Sequence, residues 1–180
     1  MSKILIVSGS PASVSRTAAI ASFISNILVE GGNEVEQLSV RDIPAEALLH
    51  AQFNHPEIKK AQQLVERSDA LIVVSPVYKA SFPGILKSFF DLLPEKGLDG
   101  KKVLAIASGG SIAHLLTLEY AFKPLFSTLG AREIPQGVYL VDSQLSYSDK
   151  QLNFTDLHLK ERLESALVEL QTSLNHLIKF

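Results

Sequence analysis

The chain of 180 residues carries 17 Lys plus Arg against 19 Asp plus Glu, a formal net charge of −2, and 46 % apolar side chains. That length fits one domain, 1–180, with a substantial core, and the even charge balance offers neither the basic footprint of a nucleic-acid binder nor a strongly acidic surface. The lack of cysteine excludes disulfides, thiolate metal sites and a cysteine nucleophile. No apolar run reaches the roughly 20 residues of a membrane span, and no secretory hydrophobic region stands at the N-terminus, so a cytoplasmic protein is expected.

The chain opens on Ile4-Leu5-Ile6-Val7, an apolar run that predicts a buried strand. An amphipathic stretch over 17–30 predicts the first helix, with Ala18, Ala21, Ile24 and Leu28 on one stripe. Between them lies Gly9-Ser10-Pro11-Ala12-Ser13-Val14-Ser15-Arg16-Thr17. In an open parallel sheet ligands bind outside the carboxyl ends of the strands, and a helix start offers free N–H groups and a partial positive charge. Hydroxyls from Ser10, Ser13, Ser15 and Thr17 and the charge of Arg16 suit a phosphate. Neither G-x-G-x-x-G nor G-K-[ST] is present, so dinucleotide and P-loop fingerprints are excluded. Acidic residues of a phospho-acceptor domain are also missing after the first strand. What remains is a hydroxyl-rich cradle of the flavodoxin kind, suited to the monophosphate of FMN, against the plainer alternative of a serine-rich capped turn.

The alternating stretch over 34–40 predicts an outer strand, 45–49 a short turn or helix, and His55-Pro56-Glu57 the start of a helix running to about Arg67. Ala70-Leu71-Ile72-Val73-Val74 reads as a central strand, followed by a loop over 75–84 and a helix over 85–93 that Pro94 ends. The stretch over 102–107 predicts another buried strand, then the loop Ser108-Gly109-Gly110-Ser111 and a helix over 112–129. A fifth strand is expected over 132–141 in two pieces around Pro135-Gln136-Gly137, then a polar loop over 142–153. A closing helix is expected over 155–178, with Leu159, Leu163, Leu167, Leu170, Leu174 and Leu177 inward. Three strand-loop-helix phrases with polar loops at one end predict an α/β fold, a doubly wound five-stranded parallel sheet with helices on both faces.

The helix over 112–129 carries apolar residues on two sides. Leu115, Phe122, Leu125, Phe126 and Leu129 suit the core, while Leu116, Tyr120 and Ala121 face elsewhere. Pro124 cannot donate to the carbonyl of Tyr120, which predicts a kink or wide turn there. A subunit interface through Leu116, Tyr120 and Pro124 follows, with Tyr120 as a core-edge residue beside a kink as the alternative.

Two further loops bear on chemistry. Pro76-Val77-Tyr78-Lys79 offers a rigid turn, an aromatic ring and a cation, a combination that suits a flavin ring; packing and solvent contact are the alternative for Tyr78 and Lys79. In Ser108-Gly109-Gly110-Ser111 two glycines clear side chains from where a flat ring and a second cofactor approach the backbone, and Ser111 also suits a helix cap. Hydride transfer from nicotinamide to flavin needs alignment and no side-chain nucleophile, in keeping with a chain that has no G-x-S-x-G elbow, carboxylate pair or metal-ligand spacing among its five histidines.

These stretches, with Gly84-Ile85-Leu86-Lys87, Asp91-Leu92-Leu93-Pro94-Glu95, His114-Leu115-Leu116 and Tyr120-Ala121-Phe122-Lys123-Pro124, resemble the flavodoxin-like NADPH-dependent FMN reductases over nearly the whole chain. The resemblance is nearest to the subgroup that supplies reduced FMN to alkanesulfonate monooxygenase. It implies FMN handled as a substrate, NADPH as reductant, a partner flavin-dependent monooxygenase, sulfur scavenging, and a dimer or tetramer with a π-bulge at Tyr120. By motif match it implies Ser10, Ser15, Arg16 and Thr17 at the FMN phosphate, Pro76, Val77 and Tyr78 at the ribityl and ring region, and Ser108, Gly109 and Gly110 at the ring edge. Lys79 and Ser111 complete the candidate set. The chain departs from many relatives at Ala12, where they carry arginine, which leaves Arg16 as the loop's only arginine. A reductase that retains FMN and acts on quinones or azo dyes, and a flavodoxin-type electron carrier, are the competing expectations.

Overall fold

A computed structural model describes residues 1–148 and 151–175. Five strands pair in parallel in the order β2-β1-β3-β4-β5, with β1 Lys3–Ser8, β2 Glu34–Ser39, β3 Ala70–Pro76, β4 Lys102–Gly109 and β5 Val138–Val141. β1, β3 and β4 are apolar along both faces because helices cover both. On one face Ile4, Ile6, Ile72, Val74, Leu104 and Ile106 pack against α1 (Arg16–Glu30) and α6 (Leu157–Asn175). On the other, Leu5, Val7, Leu71, Val73, Val103 and Ala105 pack against α2 (Ala45–Leu49), α3 (Pro56–Arg67), α4 (Gly84–Asp91) and α5 (Lys123–Thr128). The doubly wound expectation holds, and β2 is the outer strand as its alternation predicts. Along it Glu34 is exposed, and Glu36 pairs with Arg67 of α3.

Several expectations need correction. The single helix over 112–129 is three pieces: a 3-10 turn Ile112–His114, a π-helical turn Leu118–Phe122, and α5. Pro124 is the physical cause, since it lacks the N–H that would serve Tyr120, and the N–H of Lys123 reaches back five residues to the carbonyl of Leu118 instead. The widened turn falls on Tyr120, as Pro124 predicts. Leu115 lies 39 % exposed rather than in the core, whose place on this segment Leu118 takes. The polar loop over 142–153 holds a hairpin, β6 Leu145–Ser148 and β7 Gln151–Phe154, in which Leu145 faces Phe154 and Tyr147 faces Leu152. Phe154 packs on Phe23 of α1 with ring centroids 5.2 Å apart, so the hairpin is docked on the first helix.

The closing helix begins at Leu157, and Leu159, Leu163, Leu167, Leu170 and Leu174 are buried as expected. Leu177, with His176 and Ile178, lies outside the described residues. The fifth strand is short, and its expected first piece is reduced to an isolated bridge between Glu133 and Lys102. No helix among the described residues is long and apolar enough to cross a membrane.

Candidate functional site

β1, β3 and β4 end side by side, with Ser8 opposite Val74 and Pro76 opposite Ser108, so the turns that follow them share one edge of the sheet. From β1 the chain leaves through Gly9, whose N–H donates to the carbonyl of Val74 at 2.9 Å. A Cβ at Gly9 would lie 2.7 Å from a methyl of Leu86 on α4, so any larger residue would force Leu86 to shift. Ser10 is buried and its hydroxyl accepts the N–H of Ala12 at 3.2 Å. Ser15 is the N-cap of α1, extended at φ −150°, with its hydroxyl accepting the N–H of Ala18 at 3.1 Å.

The five successive N–H groups from Ser13 to Thr17 make no hydrogen bond among the described residues. The first turn of α1 carries no acidic residue. An anion at this helix start would therefore meet free donors and the positive end of the helix dipole with no carboxylate of α1 against it. A groove of about 360 Å³ runs beside the loop, lined by Ser13, Val14, Ser15, Ala18, Ala19, Ser22, Tyr147 and Ser148.

The second turn begins at Pro76, the last residue of β3 rather than part of the loop. Val77 donates its N–H to Ser108 at 2.8 Å, which ties this turn to β4. Tyr78 and Ser81 then exchange backbone hydrogen bonds of 2.7 and 3.1 Å around Lys79 (φ 51°) and Ala80 (φ 60°). Two left-handed non-glycine residues in succession form a tight reversal of the primed kind, and each stores backbone strain. Neighbours hold it. The carbonyl of Ala80 accepts from the hydroxyl of Thr117 at 3.4 Å, and Phe82 meets Phe122 edge-on at 5.2 Å. Tyr78 remains 48 % exposed. Ala80→Gly is expected to raise stability by about 1 kcal/mol by relieving the left-handed cost. A melting temperature equal to or below the parent's would contradict it.

At the third turn Ser108 and Gly109 belong to β4, so the loop proper begins one residue past Gly109. Ser111 caps the 3-10 turn, its hydroxyl accepting the N–H of Ala113 at 3.2 Å. Its carbonyl accepts from the hydroxyl of Tyr139 at 2.9 Å. Burial, and secondarily the charge of Asp142, push the Tyr139 phenol above its ordinary value, so it stays a protonated donor. An added Cβ at Gly109 would overlap that hydroxyl, whereas one at Gly110 meets nothing within 4 Å. The backbone at Gly110 is thus open to a flat group.

Arg16 leans away from the loop. Its Nη1 pairs with Asp142 at 3.1 Å, and its guanidinium carbon lies 5.9 Å from the centre of the Tyr147 ring. Sequence reasoning passed over Tyr139 and Tyr147 and did not pair Asp142 with Arg16; the readable signal was that Asp142 follows a strand at the same end as the other turns. Leu116 and Tyr120 are 59 % and 79 % exposed, and Pro124 is exposed beside them. Among the described residues no three His, Cys, Asp or Glu side chains are grouped to hold a metal ion.

The family described as NADPH-dependent FMN reductase matches residues 2–146. A Pseudomonas putida protein named FMN reductase (NADPH) is 49 % identical over 146 residues, 81 % of this chain and 74 % of its own. An Escherichia coli protein of the same name is 39 % identical over 165 residues, 92 % of this chain and 86 % of its own. Among solved structures, the apo form of the NADH:FMN oxidoreductase EmoB superimposes with a TM-score of 0.85 at 33 % identity, covering 96 % of this chain and 90 % of that one.

Proposed function

Because the chain belongs to the NADPH-dependent FMN reductase family, we propose that it passes a hydride from NADPH to FMN and releases the reduced flavin to a partner monooxygenase, for alkanesulfonate desulfonation and sulfur scavenging. The observation that carries the flavin reading is the run of free N–H groups from Ser13 to Thr17 beside two further strand ends, one of them opened by Gly110. A phosphate needs such donors, and a flat ring needs such a clearing.

In this reading the hydroxyls of Ser10, Ser15 and Thr17 and the charge of Arg16 hold the phosphate. Pro76, Val77, Tyr78 and Lys79 wall the ribityl chain and ring, and Ser108, Gly109, Gly110 and Ser111 line the ring edge. Flavin, when bound, supplies the acceptor for the nicotinamide hydride, a chemistry that asks the protein for alignment and no general base. The residues present fit that task. Strained Lys79 and Ala80 pre-set the second wall, and the Tyr139 hydroxyl fixes the third through Ser111. NADPH rather than NADH is proposed from the resemblance and the names of the two curated relatives described above. Supply to a monooxygenase rests on the resemblance alone.

NADPH oxidation measured with and without added FMN, beside a flavin titration of the purified chain, tests the proposal. Oxidation that needs added FMN and follows its concentration is the expected result. A purified protein that holds its flavin through gel filtration and reduces quinones faster than FMN would overturn it.

We also propose that Leu116, Tyr120 and Pro124 form a contact between copies of the chain, since the widened turn leaves the Tyr120 ring 79 % exposed among the described residues. Tyr120→Ala is expected to lower the sedimentation coefficient to that of a smaller assembly. An unchanged assembly would dismiss the contact.

A further inference from the structure

Arg16 is the only arginine in the loop between β1 and α1, and its charge is already engaged. Asp142, just past β5, takes its Nη1 at 3.1 Å, while the Tyr147 ring of the hairpin flanks the guanidinium at 5.9 Å. Neither partner belongs to the three turns assigned to flavin. The pair is also incomplete. Arg16 Nε and Asp142 Oδ1 are both buried and without a hydrogen-bond partner among the described residues, so the two-pronged fork that makes an arginine-carboxylate pair strong is not closed.

We propose that Asp142 sets how tightly the chain holds a phosphorylated flavin, by competing with the phosphate for Arg16. The inference rests on the phosphate lying at Ser13 to Thr17. A carboxylate at this place acts twice: it neutralises the nearest cation, and it opposes a dianion directly. Holding the guanidinium in place favours phosphate binding only by sparing some side-chain ordering, a smaller effect than removing a charge from a partly buried site. The balance weakens phosphate binding. A single, unforked contact is also one that an arriving phosphate displaces easily. An enzyme whose flavin must leave after reduction is served by a cation held back in this way, and Asp142 is then a positioning residue acting through Arg16.

The test is Asp142→Asn, which keeps shape and removes charge, with Asp142→Glu as the variant that restores it. FMN and riboflavin are titrated against each by flavin fluorescence, and KM for FMN and kcat are measured with NADPH. Expected for Asp142→Asn is FMN affinity roughly tenfold higher, the scale of one charge-assisted hydrogen bond, with riboflavin affinity unchanged, KM for FMN lowered, and Asp142→Glu close to the parent. In an Arg16→Met background the same substitution is expected to change FMN affinity much less, since the charge it frees is absent. Weaker FMN binding in Asp142→Asn would overturn the proposal by making Asp142 a support that aims Arg16 at the phosphate. Equal shifts for both flavins, or no shift, would overturn it too. If the parent chain itself binds FMN no better than riboflavin, the phosphate cradle fails and this inference with it. If the parent prefers FMN and Asp142→Asn does not alter that preference, the inference fails alone.

Discussion

Ser15→Asp is expected to leave α1 as stable as before, or slightly more so, while nearly abolishing FMN binding. Ser15 caps the helix through its hydroxyl, and aspartate caps as well as serine. The first turn of α1 has no acidic residue, so a carboxylate there gains about 0.3–1 kcal/mol from the helix dipole. The same charge stands within the donors assigned to the phosphate, where repulsion costs about 2–4 kcal/mol at an effective dielectric near 20. Stability and affinity move in opposite directions, which a general loss of structure does not imitate. Thermal unfolding and FMN titration on one sample check both, with riboflavin as the control that lacks the phosphate. Unchanged FMN affinity would remove the phosphate from this helix start.

Gly109→Ala acts at the third wall. The added methyl overlaps the hydroxyl of buried Tyr139, and that hydroxyl holds the carbonyl of Ser111. Either the tyrosine shifts in a packed core or the turn lifts, at a cost of about 1–3 kcal/mol. A melting temperature lower by roughly 2–4 °C per kcal/mol is expected, with FMN affinity reduced at least several-fold as the wall moves. Removing the hydroxyl in Gly109→Ala/Tyr139→Phe makes room for the methyl, so the double variant is expected to be more stable than the sum of the single effects. Simple additivity would mean the two groups do not meet. Gly110→Ala, one residue on, meets nothing and is expected to leave the melting temperature in place.

The central strands and the positions of the three turns were legible because long apolar runs and the glycines and prolines between them are local signals. A kink or wide turn at Tyr120 was legible for the same reason, since Pro124 lies four residues past it, while its π-helical form came only with the family resemblance. The hairpin was not. Leu145, Tyr147, Leu152 and Phe154 alternate with polar residues as strands should, but each strand is only four residues long and its apolar side is justified by Phe23 and α1, far away in sequence. The split of Arg16 from the loop was hidden likewise, because Asp142 and Tyr147 meet it only once β5 and the hairpin are placed. Tyr139 reads as an ordinary strand residue until Gly109 of the neighbouring strand is set against its hydroxyl.

Both margins of the main sheet are unattractive to other strands. One is β2, where Glu34 is exposed and Glu36 is tied to Arg67, and the other is β5, only four residues long. Charged or very short borders discourage backbone-to-backbone pairing with a neighbouring molecule. Growth of the main sheet by strand addition is therefore disfavoured even at high concentration, which leaves contacts along it to side chains. Partners can come and go without disturbing the ladder of hydrogen bonds beneath them.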